Sequence, residues 1–268
     1  MNNNTKKIVA LLLAAVITLS FAACAKKDAG EKSSSISLGT SADYPPFEFI
    51  YLDDNGGKQY AGIDISLGQK IAEDMGKELN IVNMNFDSLI AALGKGEIDM
   101  VIAAMEIDEE RTDAADASEA YYTALPDMIL VKEENAGQYS SVDDFSGKSV
   151  GAQTGTTKAD VVTDVLTGAK LVGLTSVTDL VNELVYDKCD AIVLDGAVAL
   201  QYAASHDGLV VADVELGEAA PFVVWVQKGD PKGLLESINA TIAKAAESGE
   251  IDKWIADADT LSDKAIEG

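Results

Sequence analysis

Asp99-Met100-Val101-Ile102-Ala103-Ala104-Met105-Glu106-Ile107-Asp108-Glu109-Glu110-Arg111 joins an apolar run to an acidic turn and then to an arginine. The apolar half reads as a buried strand, and the acidic half reads as the entry to a short helix. Arg111 is the only arginine in the chain, although 20 residues are lysine or arginine. The two cations differ: a guanidinium is planar, stays charged and grips a carboxylate through two parallel hydrogen bonds, whereas an ammonium is a mobile point charge. Arg111 is therefore a candidate carboxylate clamp. The alternative is that it only pairs with Asp108 or another nearby carboxylate on a solvated helical face. This stretch alone leaves both open.

Outward from that strand, apolar runs and helical patterns alternate. Toward the N-terminus, Ser35 to Gly39 reads as a first strand, and Phe49 to Tyr51 with Lys58 to Gly62 flank a hairpin turn at Asp53-Asp54-Asn55-Gly56-Gly57. Asp64 is expected to cap a helix whose stripe is Leu67, Ile71, Met75 and Leu79. After a strand from Asn80 to Phe86, Asp87 is expected to cap a helix ending near Gly94 and Gly96. Toward the C-terminus, Met128 to Val131, Lys148 to Gln153, Lys170 to Leu174, Ala191 to Leu194, Leu209 to Ala212 and Phe222 to Val226 read as strands. Helices are expected over Thr156 to Leu166, Val177 to Lys188 and Gly196 to Ser205, and another is expected to start at Pro231. Strand and helix in alternation imply an α/β fold with parallel sheets. Two extended segments, near Thr123 to Leu125 and near Phe222 to Val224, suggest two lobes joined by a double hinge.

A length of 268 residues fits one large domain or two small ones, since domains run to about 100 to 200 residues. The formal charge of -25 repels phosphate backbones, so no nucleic-acid partner is expected. Lys6 and Lys7 precede an apolar run from Ile8 to Ala23, in the order of an export signal over residues 1–23. Ala25 to Ser35 is small, polar and charged, as a flexible tether over residues 24–35 would be. The cysteines are Cys24 and Cys189; the second lies beside apolar Ala191 to Leu194 and reads as core packing. Imidazole and thiolate are scarce, and no metal or cofactor is expected.

Ligands of open parallel sheets sit beyond the carboxyl ends of the strands. Three such ends carry suggestive chemistry: Ala104-Met105-Glu106 with Arg111, Gln153-Thr154-Gly155-Thr156-Thr157, and Ala191 to Leu194 followed by Asp195. The second opens a helix whose free amides favour an anion, although a simple threonine cap is the alternative. Asp195 is either a helix cap or a carboxylate facing a cation. Together, an arginine, a helix N-terminus and an aspartate describe a site for an amino acid zwitterion.

Several motifs resemble the family 3 extracellular solute-binding proteins, which deliver polar amino acids to ABC importers. They are Tyr44-Pro45-Pro46-Phe47-Glu48, Gly62-Ile63-Asp64-Ile65, Phe86-Asp87-Ser88-Leu89-Ile90, Arg111 six residues after Met105, Gly155-Thr156-Thr157, and Asp190-Ala191 ahead of Asp195. The resemblance runs from about Ser35 to Ala256. It implies a two-lobed periplasmic-binding-protein-like (type II) α/β fold, with lobe one over 36–123 and 224–268 and lobe two over 124–223. It also implies that Arg111 with Thr156 and Thr157 holds an α-carboxylate, Asp195 an α-ammonium, and Tyr44 and Phe86 the side chain, with Ala104, Met105 and Glu106 beside them. Where the family usually has serine or threonine, this chain has Glu106, which favours a basic ligand or one with more than one amine.

Phe21-Ala22-Ala23-Cys24 resembles a bacterial lipobox, with phenylalanine in place of the usual leucine, and implies a lipid anchor on Cys24 at the cell membrane. The expected product is a monomeric extracytoplasmic carrier with a free amino acid and an ABC permease as its partners. The alternative is an enzyme on the same scaffold, such as a cyclohexadienyl dehydratase, with Glu106 as a general acid.

Overall fold

The computed structural model describes residues 35–266, so the expected export signal, Cys24 and all of the expected tether but Ser35 lie outside the described residues, and Ser35 itself opens a strand. Two sheets of five strands dominate it. In the first, the spatial order is Glu78–Asn83, Ser35–Thr40, Met100–Val101, Phe222–Gln227 and Ala115–Tyr122. The first three strands of that order run parallel, and Phe222–Gln227 is antiparallel to both neighbours. The second sheet repeats the plan with Lys170–Leu174, Ser149–Gln153, Ala191–Leu194, Met128–Lys132 and Leu209–Val211. There too the first three are parallel, and Met128–Lys132 is antiparallel to its neighbours. The chain crosses between the sheets through residues 123–127 and returns through 212–221.

Unbroken apolar runs form the central strands because both faces of each sheet are covered. Leu38, Ile71, Ile192 and Leu194 belong to one buried cluster that receives side chains from both sheets. The opposite face of the first sheet packs Val101 and Trp225 on Leu89 and Leu93, and that of the second packs Ile129 and Val193 on Phe145. Where the chain passes between sheets, Phe47 meets the edges of Tyr122 and Phe222 at centroid distances of 4.9 and 5.1 Å. Such edge-to-face contacts add to plain area burial.

Four local readings need correction. Asp64 does not cap its helix: Ile63–Asp74 starts after Gly62, and the Asp64 carboxylate turns into the core. Leu79 belongs to a strand, not the helical stripe. Phe86–Ser88 is a single 3-10 turn ahead of the helix Leu89–Lys95, so Asp87 caps nothing. Finally, the helix expected at Pro231 starts at Leu235, because the Asp230 carboxylate accepts the backbone N–H of Leu234 and Leu235 at 2.8 and 3.1 Å. A side-chain acceptor at that position satisfies donors that have no partner within the helix. The Asp53 hairpin forms as expected, with Asp53 Oδ1 accepting from the backbone of Asn55 and Gly57.

Gly62 makes the join between the hairpin and the first long helix. Its φ is 120°, and a Cβ there would lie 2.0 Å from the Phe47 carbonyl oxygen. Gly62→Ala is expected to destabilise the protein by more than about 3 kcal/mol, because positive φ and a backbone clash add. At Gly76, φ is also positive at 63° but nothing lies within 4 Å of the added carbon, so Gly76→Ala should cost only about 1 to 2 kcal/mol. Urea unfolding of the two variants checks the order; equal losses would refute it.

Candidate functional site

The strand Met100–Val101 continues through buried Ile102 and Ala103 to Ala104, whose φ is 45°. A non-glycine residue in this left-handed region is strained and needs support. Asp64 supplies it: Oδ2 accepts the Ala104 N–H at 2.6 Å, while Oδ1 accepts the Tyr121 hydroxyl at 2.8 Å. The turn sends neighbouring side chains apart. Met105 packs in the core with Leu89 and Trp225, correcting the expectation that it lines the central cavity, although it borders the crevice beyond Arg111. Glu106 is 4% exposed and points into the cavity.

Arg111 lies on the short helix Glu109–Ala114, capped by Asp108, whose Oδ1 accepts the Arg111 backbone N–H at 2.8 Å. Its guanidinium pairs with Asp108 Oδ2 at 2.9 Å, so the local ion pair does form. The same group also reaches further. Nη1 donates to the Glu106 carbonyl at 2.8 Å, Nη2 donates to the Gly155 carbonyl at 3.0 Å, and the group lies 5.5 Å from the Phe86 ring centre. Burial presses its pKa down while Asp108 and Glu106 oppose that. Arg111 thus lies half-buried in the cavity wall and spans both sheets' loops.

From the second sheet, Ser149–Gln153 leads through Gly155, with φ of 78°, to the helical turn Thr157–Asp160. A Cβ on Gly155 would stand 3.0 Å from that of Asp87, so glycine lets the two loops approach. Thr156 makes no capping bond; its hydroxyl donates to the Gln153 carbonyl at 2.7 Å. The Thr157 hydroxyl hydrogen-bonds Glu106 Oε2. Asp195 takes the cap position of the helix Gly196–Ser205, yet its carboxylate turns away from it. Instead Asp195 Oδ2 accepts the Tyr44 hydroxyl at 2.6 Å, and that hydroxyl accepts the Asp195 backbone N–H at 3.1 Å. Tyr44, Phe86, Ala104, Glu106, Arg111, Thr156, Thr157 and Asp195 all border one cavity.

The sequence reading missed the centre of this cavity. Lys158 is 4% exposed, and its Nζ lies 2.8 Å from Asp195 Oδ1, 2.9 Å from Glu106 Oε2 and 3.4 Å from Asp127 Oδ1. Burial opposes its charge, but Asp195, Asp127 and Glu106 outweigh burial and hold its pKa above the ordinary lysine value. A signal existed: a cation in the first turn of a helix sits against the helix dipole and needs another reason to be there. Asp127, one residue after Pro126, had no local signal.

Glu48 and Asp64 form a second buried acidic pair beside the cavity. Burial, then the neighbouring Asp64 charge, raises the Glu48 carboxyl well above its ordinary value. Burial raises Asp64 to about 6, against hydrogen bonds from Ala104, Tyr121 and Glu48, and Asp127 is also raised by burial to about 6. An unfolded aspartate titrates near 4, so between roughly pH 4 and 6 the folded chain holds protons the unfolded chain has released. Stability from these groups is present in acid and lost as pH rises through 6. The melting temperature should therefore be higher at pH 5.5 than at pH 7.5, by roughly 1 to 2 kcal/mol or a few degrees, and Asp64→Asn should shrink the difference. Calorimetry giving a flat or opposite trend would refute the proton assignment.

Comparison with known proteins places this geometry. Residues 36–257 match the model of bacterial extracellular solute-binding proteins, family 3. The chain is 32% identical over 255 residues to the arginine-binding extracellular protein ArtP of Bacillus subtilis, covering 92% of this chain and 96% of that protein. A probable histidine-binding protein of Campylobacter jejuni is 28% identical, with 93% of this chain and 97% of that one covered. Among solved structures, the amino acid ABC transporter substrate-binding protein AbpA of Streptococcus pneumoniae, bound to L-arginine, superposes with a TM-score of 0.82 at 33% identity, covering 85% of this chain and 96% of that one. The fold is that of the periplasmic binding proteins, and the chain belongs to the bacterial extracellular solute-binding proteins, family 3.

Proposed function

We propose that this protein captures a basic amino acid outside the cytoplasm and delivers it to the permease of an ABC importer. One observation carries the reading: Arg111 and the carboxylates of Glu106 and Asp195 border a single cavity, with Tyr44 and Phe86 beside them. Arg111 and the hydroxyls of Thr156 and Thr157 hold the ligand's α-carboxylate, and Asp195 takes its α-ammonium. Glu106, which the family usually replaces with serine or threonine, adds a negative charge that favours a cationic side chain. The arginine- and histidine-binding relatives support that choice. Arg111 has five N–H donors, so the carbonyls of Glu106 and Gly155 and the carboxylate of Asp108 leave two for a ligand's carboxylate.

Delivery works by closure. Lobe one, residues 36–123 with 224–268, and lobe two, residues 124–223, approach through the two crossing segments, and the ligand bridges them. The closed form is the one the permease recognises. The protein acts as a monomer, held at the membrane by lipid on Cys24, and releases its ligand chemically unchanged.

Thermal unfolding against the twenty amino acids tests the reading. Arginine, lysine or histidine at about a hundredfold its dissociation constant should add roughly 2.7 kcal/mol, a shift of several degrees. Arg111→Ala should weaken binding by about 2 to 5 kcal/mol, because it strands a buried carboxylate. Binding of neutral or acidic amino acids in place of basic ones would overturn the assigned ligand class.

A further inference from the structure

The ammonium of Lys158 stands where a ligand's cation belongs. Glu106, Asp127 and Asp195 offer carboxylate oxygens within 4.8 Å of one another, and Lys158 Nζ is within 3.4 Å of all three residues. Its side chain and those of Glu106 and Asp195 are each about 5% exposed or less. The ammonium stands in the same cavity wall as Tyr44, Phe86 and Arg111, between the carboxylates of Glu106 and Asp195. A ligand's cation cannot occupy that position while the ammonium of Lys158 fills it.

We propose that Lys158 is a tethered competitor: its ammonium fills the cation position formed by Glu106, Asp127 and Asp195, and a ligand enters by exchanging its own positive charge for that of the lysine. The exchange rests on the reading of this cavity as an amino acid site, and it deepens that reading. A neutral group cannot drive it, because lysine leaving without replacement strands the buried carboxylates of Glu106 and Asp195 and the half-buried one of Asp127. An ammonium or guanidinium can, because the cluster stays compensated throughout. Lys158 has a flexible four-carbon stem and a place to go. It sits on the turn Thr157–Asp160, which runs into a widened π-helical turn at Val161–Val165. Its neighbours Thr157 and Ala159 border an open crevice lined by Asp108, Glu109, Glu110 and Asp160 together with Arg111, where a withdrawn ammonium regains solvent. Lys158 also ties the two sheets together, since Glu106 follows a strand of the first sheet while Asp195 follows a strand of the second. Exchange therefore couples ligand entry to the contact between lobes.

Titration calorimetry with L-arginine on the purified wild-type protein, Lys158→Met and Lys158→Arg decides the matter. Methionine keeps most of the stem and removes the charge; arginine keeps a charge. Lys158→Met should bind L-arginine at least tenfold more tightly than wild type, while its ligand-free melting temperature falls. Lys158→Arg should show no such gain. Binding by Lys158→Met but not by wild type would support the exchange most strongly. Unchanged or weaker binding by Lys158→Met, with wild type binding normally, would overturn the exchange and leave the amino acid site standing. Binding of L-arginine and every other amino acid by none of the three proteins would overturn the function proposed above, and the exchange with it.

Discussion

A buried charge needs a partner, and the centre of this protein obeys that demand four times over. Lys158, Glu106, Asp127 and Asp195 meet where water is largely excluded. Removing Lys158 leaves three carboxylates without their shared cation, at a cost of about 3 to 5 kcal/mol for a broken buried pair. Because the four residues come from loops on two different sheets, satisfying their charges also fixes how those loops face each other. Around them, hydrogen bonds from Tyr44 to Asp195 and from Arg111 to Gly155 make the same crossing. Packing brings the sheets near; charge pairing decides the register of the site.

The core reaches this site through one aspartate. Asp64 is fully buried under the first sheet and holds the left-handed backbone of Ala104 through its N–H. That turn is what parts Met105, which joins the apolar core, from Glu106, which enters the cavity. Glu48 is buried beside Asp64, and burial and the Asp64 charge raise its carboxyl well above the ordinary value. The strain at Ala104 is thus balanced by hydrogen bonds that depend on burial, so stability and binding geometry share the same residues.

Both sheets follow one plan, with three parallel strands and an antiparallel strand returning beside them. In each, the middle strand of the parallel set is flanked by the second and third, which places a switch point at its carboxyl end. Ser41 and Tyr44 follow that end in the first sheet, and Thr156 to Lys158 follow it in the second. Where the crossing segments begin and end, Tyr122 and Phe222 stack on each other and Phe47 meets the edges of both.

What the sequence determined by itself was local. Apolar runs such as Ala191 to Leu194 and Met100 to Met105 marked buried strands, because a strand covered on both faces has no polar alternation to hide it. Arg111 and Asp195 were visible as lone charges at strand ends, and the glycine-threonine turn as a helix start. Tertiary structure alone decided how they are used. Whether Asp195 caps a helix or meets a cation depends on Tyr44 and Lys158, which are far away in the chain or linked by a long flexible stem. Asp64 looked like a helix cap because capping is a local pattern, while its real partners, Ala104 and Tyr121, are set by packing. Met105 and Glu106 could not be sorted between core and cavity without the φ of Ala104. Periodicity records which residues leave water; only the folded arrangement assigns each buried charge its partner, because that assignment is made across the chain at distances of a few ångströms.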